Sequence, residues 1–428
     1  MTDPRFSIVV PTRNRADTLH YALLSVLDQD FDNYEVVVHD NCSSAETREV
    51  VESFHSDKLR YFRSDTPLAM TESWERALSF AKGEYLTVIG DDDGLLPHAL
   101  LILENLLTSR QLSIVRWSKV TYCWPNHPLI EKRNSLKIPL GNCGYFLPGR
   151  AIMKMVVDQE LPFPTLPSLY NSMVHRDMIA TIRRKCGRVF FSSAPDLGSG
   201  YALAYIAGRY LSIDAPMSIS GTSGKSNGLT LSLLAQEGAQ SSVAEDFANL
   251  NSSADITVHP RLPALNLLTV LLADSFFQMK DALFPDDPID VNRKALILRC
   301  MEQLKWVPQE TPTNAMKLLR ESLRDVPRLQ DWFDQKIAAE GLPVHAQVVI
   351  PKTPRGFIER EKITALDATD FGVTDVYGAA QFCEKILNYN RNGFRCDIKE
   401  YVASPYSQLR GIARILLRRA APTLPDGG

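Results

Sequence analysis

The chain has 428 residues, 45% hydrophobic and 23% charged, which is enough apolar material for a large core and enough length for two or three domains. Its 47 basic and 50 acidic side chains leave a formal charge of -3, which excludes the bulk basic signal of a nucleic-acid-binding surface. Seven scattered cysteines, an odd count with no C-x-x-C pair, argue against a disulfide framework or a zinc site and fit a reducing compartment.

The chain begins without a basic segment leading into a long apolar run, so no signal peptide is read there. Phe6 to Val10 is β-branched and apolar and stops at Pro11, which predicts a strand. A helix follows, with Leu19, Leu23, Val26 and Leu27 on one face. Tyr34 to Val38 reads as a second strand ended by His39-Asp40-Asn41, Ala45 to Phe54 as a helix, and Leu59 to Phe62 as a short third strand. Thr71 is placed to cap the next helix, on which Trp74, Ala77, Leu78 and Ala81 share a face, and Gly83 is placed to end it. Tyr85 to Ile89 is a continuous apolar strand cut off by Gly90 and three aspartates. Pro97 then opens a helix carrying Leu100, Leu103, Leu106 and Leu107, and Ser113 to Trp117 is a further strand.

Alternating strands and helices predict an α/β domain with a mostly parallel sheet covered on both faces. Ligands of such sheets sit outside the carboxyl ends of the strands. Those ends carry Pro11-Thr12-Arg13-Asn14, Asp40-Asn41 and Gly90 to Asp93, so all three clusters are expected to face one crevice.

Residues 118 to 235 are less regular. They hold a helical segment from about Met173 to Lys185, a strand at Val189 to Phe191, the motif Ala194-Pro195-Asp196, and a Gly/Ser-rich stretch, Ser218 to Gly228, that reads as a mobile loop or linker. Beyond about residue 240 the chain turns mainly helical, without a repeat of fixed period. Its most apolar stretch, Leu262 to Phe277, is broken by Pro263, Asn266, Thr269 and Asp274 and reads as a buried helix rather than a membrane span.

Three consecutive aspartates at the end of a buried strand repel one another unless a cation neutralises them. Mg²⁺ or Mn²⁺ suits such hard oxygen ligands, typically through one or two carboxylates plus substrate phosphates, and would stabilise charge on a leaving diphosphate. Strand alternation sends Asp91 and Asp93 to one side and Asp92 to the other unless the backbone turns, and Gly94 favours a turn.

Taken together, FSIVVPTRNRADTLHYALLSVLDQDFDNYEVVVHDNCSS and the later GEYLTVIGDDDGLLP resemble the family 2 glycosyltransferases of GT-A fold, well over residues 5 to 110 and loosely over 111 to 235. The resemblance implies a GT-A, Rossmann-like domain over 1–235. Within it, 1–117 would be the nucleotide-sugar-binding half and 118–235 the acceptor-side half, followed by a mainly helical region over 236–428 of unassigned role. It further implies that Pro11, Thr12 and Arg15 line the nucleotide pocket and that Asp40 binds the base, typically a uracil ring N–H. Asp91 and Asp92 would hold sugar and metal, with Asp93 supporting. Anchored on Pro97, the family pattern makes Asp92 the metal ligand, whereas the literal D-x-D spelling makes it Asp91 with Asp93, so the division within the cluster stays open.

Inverting transfer, the commoner outcome in the family, needs a base for the acceptor hydroxyl. Asp196 lies where the family places a catalytic aspartate; its alternative role is the N-cap of a helix from Leu197, and Asp177 and Glu160 are weaker choices for the base. Gly221 to Ser226 spells G-T-S-G-K-S, but the P-loop spacing fails at Ile219, which leaves Lys225 as a residue able to close over a diphosphate. His175-Arg176-Asp177 lacks the asparagine of a kinase loop, since position 182 is Ile182. His39 either shapes the base pocket or is structural, and Trp74 packs its helix on the sheet. The basic amphipathic segment Ser407 to Arg419 either rests on an anionic membrane or docks on the body.

The expected function is transfer of a sugar from a nucleoside-diphosphate donor, a UDP-sugar first, to an acceptor hydroxyl in polysaccharide or glycoconjugate synthesis. This would depend on Mn²⁺ or Mg²⁺, without nucleic-acid partners, in the cytoplasm or on the inner face of a membrane. Two alternatives are a sugar nucleotidyltransferase, disfavoured because PTRNR lacks the glycines of that loop, and a non-catalytic nucleotide-sugar-binding scaffold.

Overall fold

A computed structural model describes residues 3–226, 242–305, 312–342, 356–358, 363–389 and 394–399. The N-terminal half builds as read. Strands β1 (Phe6–Thr12), β2 (Tyr34–Asp40), β3 (Leu59–Arg63) and β4 (Tyr85–Val88) alternate with helices α1 (Ala16–Leu27), α2 (Ala45–Glu52) and α3 (Met70–Ser79). These four strands are parallel, in the order β3-β2-β1-β4, with Thr12 opposite Asp40 and Val9 opposite Val88. The period-2 alternation of β1 divides the core. Ile8 and Val10 pack with α1 and with α4 (Ala99–Arg110), while Val9 packs with Trp74 and Leu78 of α3 on the other face.

Beyond β4 the sheet is mixed. A two-residue strand β5 (Gly94–Leu95) precedes α4, and β6 (Ile114–Cys123), β7 (Ser135–Pro139) and β8 (Cys143–Pro148) follow it, with α5 (Gly149–Val157) after them. Strand β9 (Ser172–His175) lies antiparallel between β4 and β6. Helices α6 (Arg176–Cys186) and α7 (Pro195–Ala207) lead to the long β10 (Arg209–Thr222), parallel to β6 and antiparallel to β5 and β8. Later residues return to the same sheet. Strand β11 (Gly356–Ile358) pairs with β12 (Ile363–Asp367), which pairs with β7, and β13 (Asp397–Lys399) pairs with β8. The region after residue 242 is otherwise helical among the described residues. Its Leu268–Leu283 helix packs on α7 and its Val376–Leu387 helix on α1. No described helix is long and apolar enough to cross a membrane.

Several local expectations are corrected. Thr71 lies inside α3, after an Ala69 N-cap, and its hydroxyl donates to the Ser192 carbonyl instead of capping. Gly83 does not end that helix. It lets the chain pass against β1, where a Cβ would sit 2.5 Å from the Ser7 nitrogen. Pro97 precedes the α4 N-cap, His98. The segment from Met173 divides into β9 and α6 at Arg176, and Val189 to Phe191 forms no strand. Ser218 to Thr222, expected as loop, completes β10. Residues 407–419 lie outside the described residues, as does the segment around residue 235.

Candidate active site

Strand order reverses at β1, between β2 and β4, and the crevice at this switch point is where an open α/β sheet binds ligands. A cleft of about 1010 Å³ opens there. It is lined by Pro11, Thr12, Arg13, Asn14 and Arg15 from the end of β1, Asn41 after β2, and Gly90, Asp91 and Asp92 after β4. The loops after β1 and β2 brace each other. Asn14, at φ 54, receives Ser44 N–H on its side-chain oxygen and gives its own N–H to Ser43 Oγ.

The three aspartates divide their work, because the backbone turns immediately at Asp91. Asp91 accepts Thr12 Oγ1 at 2.7 Å on Oδ2 and the Arg15 guanidinium at 2.9 Å on Oδ1. Burial, then the Asp92 charge, pushes its carboxyl above the usual range against the pull of Arg15. Asp92 accepts Ser223 Oγ at 2.8 Å, Ser223 N–H at 3.2 Å and Ser226 Oγ, all on Oδ2, which leaves Oδ1 without a hydrogen bond among the described residues. Asp93 turns away from the cleft. It ties the turn to Gly90 N–H at 2.7 Å and to Gly221 N–H of β10 at 2.8 Å, and burial beside Asp92 pushes its carboxyl up to about 7. Among the described residues no group of three His, Cys, Asp or Glu side chains is arranged to hold a metal, so the expected three-carboxylate cluster reduces to Asp91 and Asp92 facing the cleft.

Asp40 is not brought to the cleft. It is fully buried and accepts Ser43 N–H at 2.8 Å, Tyr61 Oη at 2.5 Å and Arg63 at 2.8 Å; these contacts hold its carboxyl below the usual range against burial. Asn41, its neighbour, faces the cleft instead. His39 is structural, buried between the hydroxyls of Ser73 and Ser64, each 3.0 Å from a ring nitrogen.

Asp196 does reach the cleft. It lies in the first turn of α7, after the Ala194 N-cap, so the capping alternative does not hold. Burial raises its carboxyl, opposed by the Lys119 charge and by backbone N–H groups at the helix start. Between it and the aspartate turn stands Tyr170, with Lys119 Nζ 4.0 Å from its ring centroid. Trp74 joins the cleft wall and packs edge-on against Phe190. Asp177 and Glu160 are exposed and lie outside the cleft.

Two contributions escaped the sequence. One is the pair Ser223 and Ser226 after β10, which supplies the hydroxyls on Asp92; Lys225 between them, already singled out in the sequence, lines the cleft and pairs with Asp17 at 3.3 Å. Gly221 is required there, since a Cβ would meet the Asp92 carbonyl oxygen at 1.7 Å. The other is the Ser242–Ser253 helix, whose Asp246, Phe247 and Leu250 line the cleft.

Residues 7–161 match the family model described as Glycosyl transferase family 2. The chain carries a family 2 glycosyltransferase domain. This domain is 36% identical over 103 residues to GalNAc(5)-diNAcBac-PP-undecaprenol beta-1,3-glucosyltransferase of Campylobacter jejuni, a match covering 23% of this chain and 33% of that one. It is 25% identical over 134 residues to UDP-Glc:alpha-D-GlcNAc-diphosphoundecaprenol beta-1,3-glucosyltransferase WfgD of Escherichia coli, covering 31% of this chain and 50% of that one. The chain thus spans a third to a half of the length of these curated relatives. The crystal structure of TarS 1-349 of S. aureus aligns with 79% of this chain and 92% of its own, at 16% identity and a TM-score of 0.41.

Proposed function

We propose that this glycosyltransferase domain moves a sugar from a nucleoside-diphosphate donor, a UDP-sugar first, to an acceptor hydroxyl, with inversion. The observation that carries the reading is the shared cleft: Asp91 and Asp92 on one wall, Asp196 on another, and Tyr170 between them. The diphosphate would lie against Arg13, Arg15 and Lys225, the cations among the described residues that line the cleft. Asp91 and Asp92 would hold Mg²⁺ or Mn²⁺, which supplies neutralising charge for the leaving diphosphate. The open Oδ1 of Asp92 and the raised carboxyl of Asp91 support a cation at this turn.

Asp196 would accept the proton of the acceptor hydroxyl as its oxygen bonds to the anomeric carbon. The bond from that carbon to the diphosphate breaks on the opposite face, and its electron pair leaves with the diphosphate. A carboxyl raised by burial is a stronger base than a solvated one, which suits that task. The two relatives named above carry undecaprenol-linked acceptors in their names, and one carries UDP-glucose, which supports a UDP-sugar donor and a lipid-linked glycan acceptor. Association with a membrane surface follows from such an acceptor.

The test is a thermal-shift series of UDP-, GDP- and dTDP-sugars with and without Mn²⁺. A ligand that binds only the folded state raises its melting temperature by mass action. One nucleotide sugar giving a Mn²⁺-dependent rise is the expected result; no response to any of them would sink the reading.

A further inference from the structure

A second space lies one helical turn from the first. It is a cavity of about 340 Å³ walled mainly by apolar side chains, among them Leu161, Phe163, Leu272 and Phe276, with Gln159, Arg299 and Gln303 also in its lining. Helix α7 and the Leu268–Leu283 helix, which pack on each other, both serve the two spaces. On α7, Asp196 and Leu197 line the cleft and Tyr201 lines the cavity. On the other helix, Leu268 and Leu271 line the cleft, and Leu272 and Phe276 line the cavity. Leu197 with Tyr201, and Leu268 with Leu272, are i,i+4 pairs on one stripe, about 6 Å apart along the axis. The two stripes run from the carboxylate to the cavity side by side. Leu268, on the cleft wall at the start of its helix, is 60% exposed.

The cleft itself changes character along its length. The end built from β1, β4 and β10 is polar and charged, whereas the wall around Asp196 is aliphatic, with Met70, Leu197, Leu250, Leu268 and Leu271. Aliphatic side chains offer no hydrogen bonds to sugar hydroxyls and favour a hydrocarbon partner.

We propose that the cavity between α5, α7 and the Leu268–Leu283 helix binds the hydrocarbon chain of an amphiphilic acceptor, which crosses Leu268 on its way from the hydroxyl at Asp196. The proposal deepens the transfer reading above and rests on it for the role of the bound molecule. The binding site itself is tested independently of transfer.

The probes are hexyl, octyl and decyl glucosides below their micelle concentrations, titrated calorimetrically into the full chain, with free glucose as reference. Affinity is expected to rise up to about fourfold per methylene until the cavity is filled. Leu268→Asp, at an exposed position where folding is tolerant, is expected to lower the decyl glucoside affinity about tenfold and to flatten the series. A series that is flat in the wild-type protein overturns the proposal. So does a decyl affinity that Leu268→Asp leaves unchanged, because the chain would then bind elsewhere. UDP with Mn²⁺, titrated separately, reports on the transfer reading alone: loss of that signal removes the donor site, whereas loss of chain-length dependence removes only the hydrocarbon site.

Discussion

Arg13 and Asp246 meet across 233 residues of sequence, with the guanidinium Nε 3.0 Å from Oδ2 and its neighbouring nitrogen 2.9 Å from the same carboxylate. Arg13 stands at the end of β1, where a diphosphate is expected, so a carboxylate of the chain occupies a cation meant for the ligand. Asp246→Asn is predicted to tighten UDP binding by about 1.4-fold to fivefold, since a partly exposed pair contributes roughly 0.2–1 kcal/mol. Calorimetry at fixed Mn²⁺ measures this. Weaker binding would instead mark Asp246 as a clamp that holds the helix over the donor.

Asp92→Asn keeps the shape of the turn but removes the charge that faces the cleft. The predicted result is loss of Mn²⁺-dependent donor hydrolysis and transfer by at least about a hundredfold, the scale of an electrostatic contribution to a developing anion. Activity that persists at the wild-type metal optimum would rule out Asp92 as a ligand.

Asp196→Asn separates binding from chemistry. UDP-sugar affinity is predicted to stay within about twofold while kcat for transfer falls about 10²–10⁴-fold, the usual contribution of a positioned base. A variant that loses donor affinity in step with kcat would make Asp196 a structural residue of α7.

Gly221→Ala tests the contact between β10 and the aspartate turn. A methyl group 1.7 Å from the Asp92 carbonyl oxygen cannot be accommodated without moving one backbone. Overpacking of this kind typically costs about 1–3 kcal/mol. Urea denaturation should show a loss of that size or more, together with loss of metal response. Wild-type values for both would mean that the two backbones are not in contact.

His39 makes stability depend on pH. Burial, aided by the nearby Arg76 charge, lowers its pKa to about 4 from an ordinary 6.5. Between these values the unfolded chain binds a proton that the folded chain refuses, so stability falls as pH drops below about 6.5 and the loss is complete near pH 4. The full effect is about 3 kcal/mol. Comparing urea midpoints at pH 7 and pH 4.5 for wild type and His39→Asn should show a shallower pH dependence in the variant. Equal slopes would assign the acid sensitivity to other groups.

The sequence made some of this visible and hid the rest for physical reasons. The runs Phe6 to Val10, Tyr34 to Val38 and Tyr85 to Ile89 are apolar on both faces because the strands are covered on both faces, and such strands are hard to mistake. Their polar ends therefore marked the crevice, and Thr12, Arg15, Asp91 and Asp92 lie in it. Strand β10 was concealed because it approaches other backbones closely. Gly221 has no side chain for that reason, and the small polar residues around it read as loop. Asp40 misled for a different reason: a strand-end carboxylate looks the same in sequence whether it faces a ligand or, as here, is enclosed by Ser43, Tyr61 and Arg63. The helix carrying Asp246 gave no signal as part of the cleft, since nothing local connects residue 246 with residue 13.

Some of the hydrogen bonds that hold the aspartate turn come from Gly221, Ser223 and Ser226, between 128 and 134 residues downstream. On the ribosome the chain is made from its N-terminus at about 5–20 residues per second. The acidic turn is therefore synthesised many seconds before the donors that complete its hydrogen bonding. Until β10 emerges and docks beside β6, the nascent protein carries an uncovered edge on β6 and an aspartate turn that lacks these donors. Pairing at such long range is slow, so this edge is where chaperone capture or aggregation during expression is expected to begin.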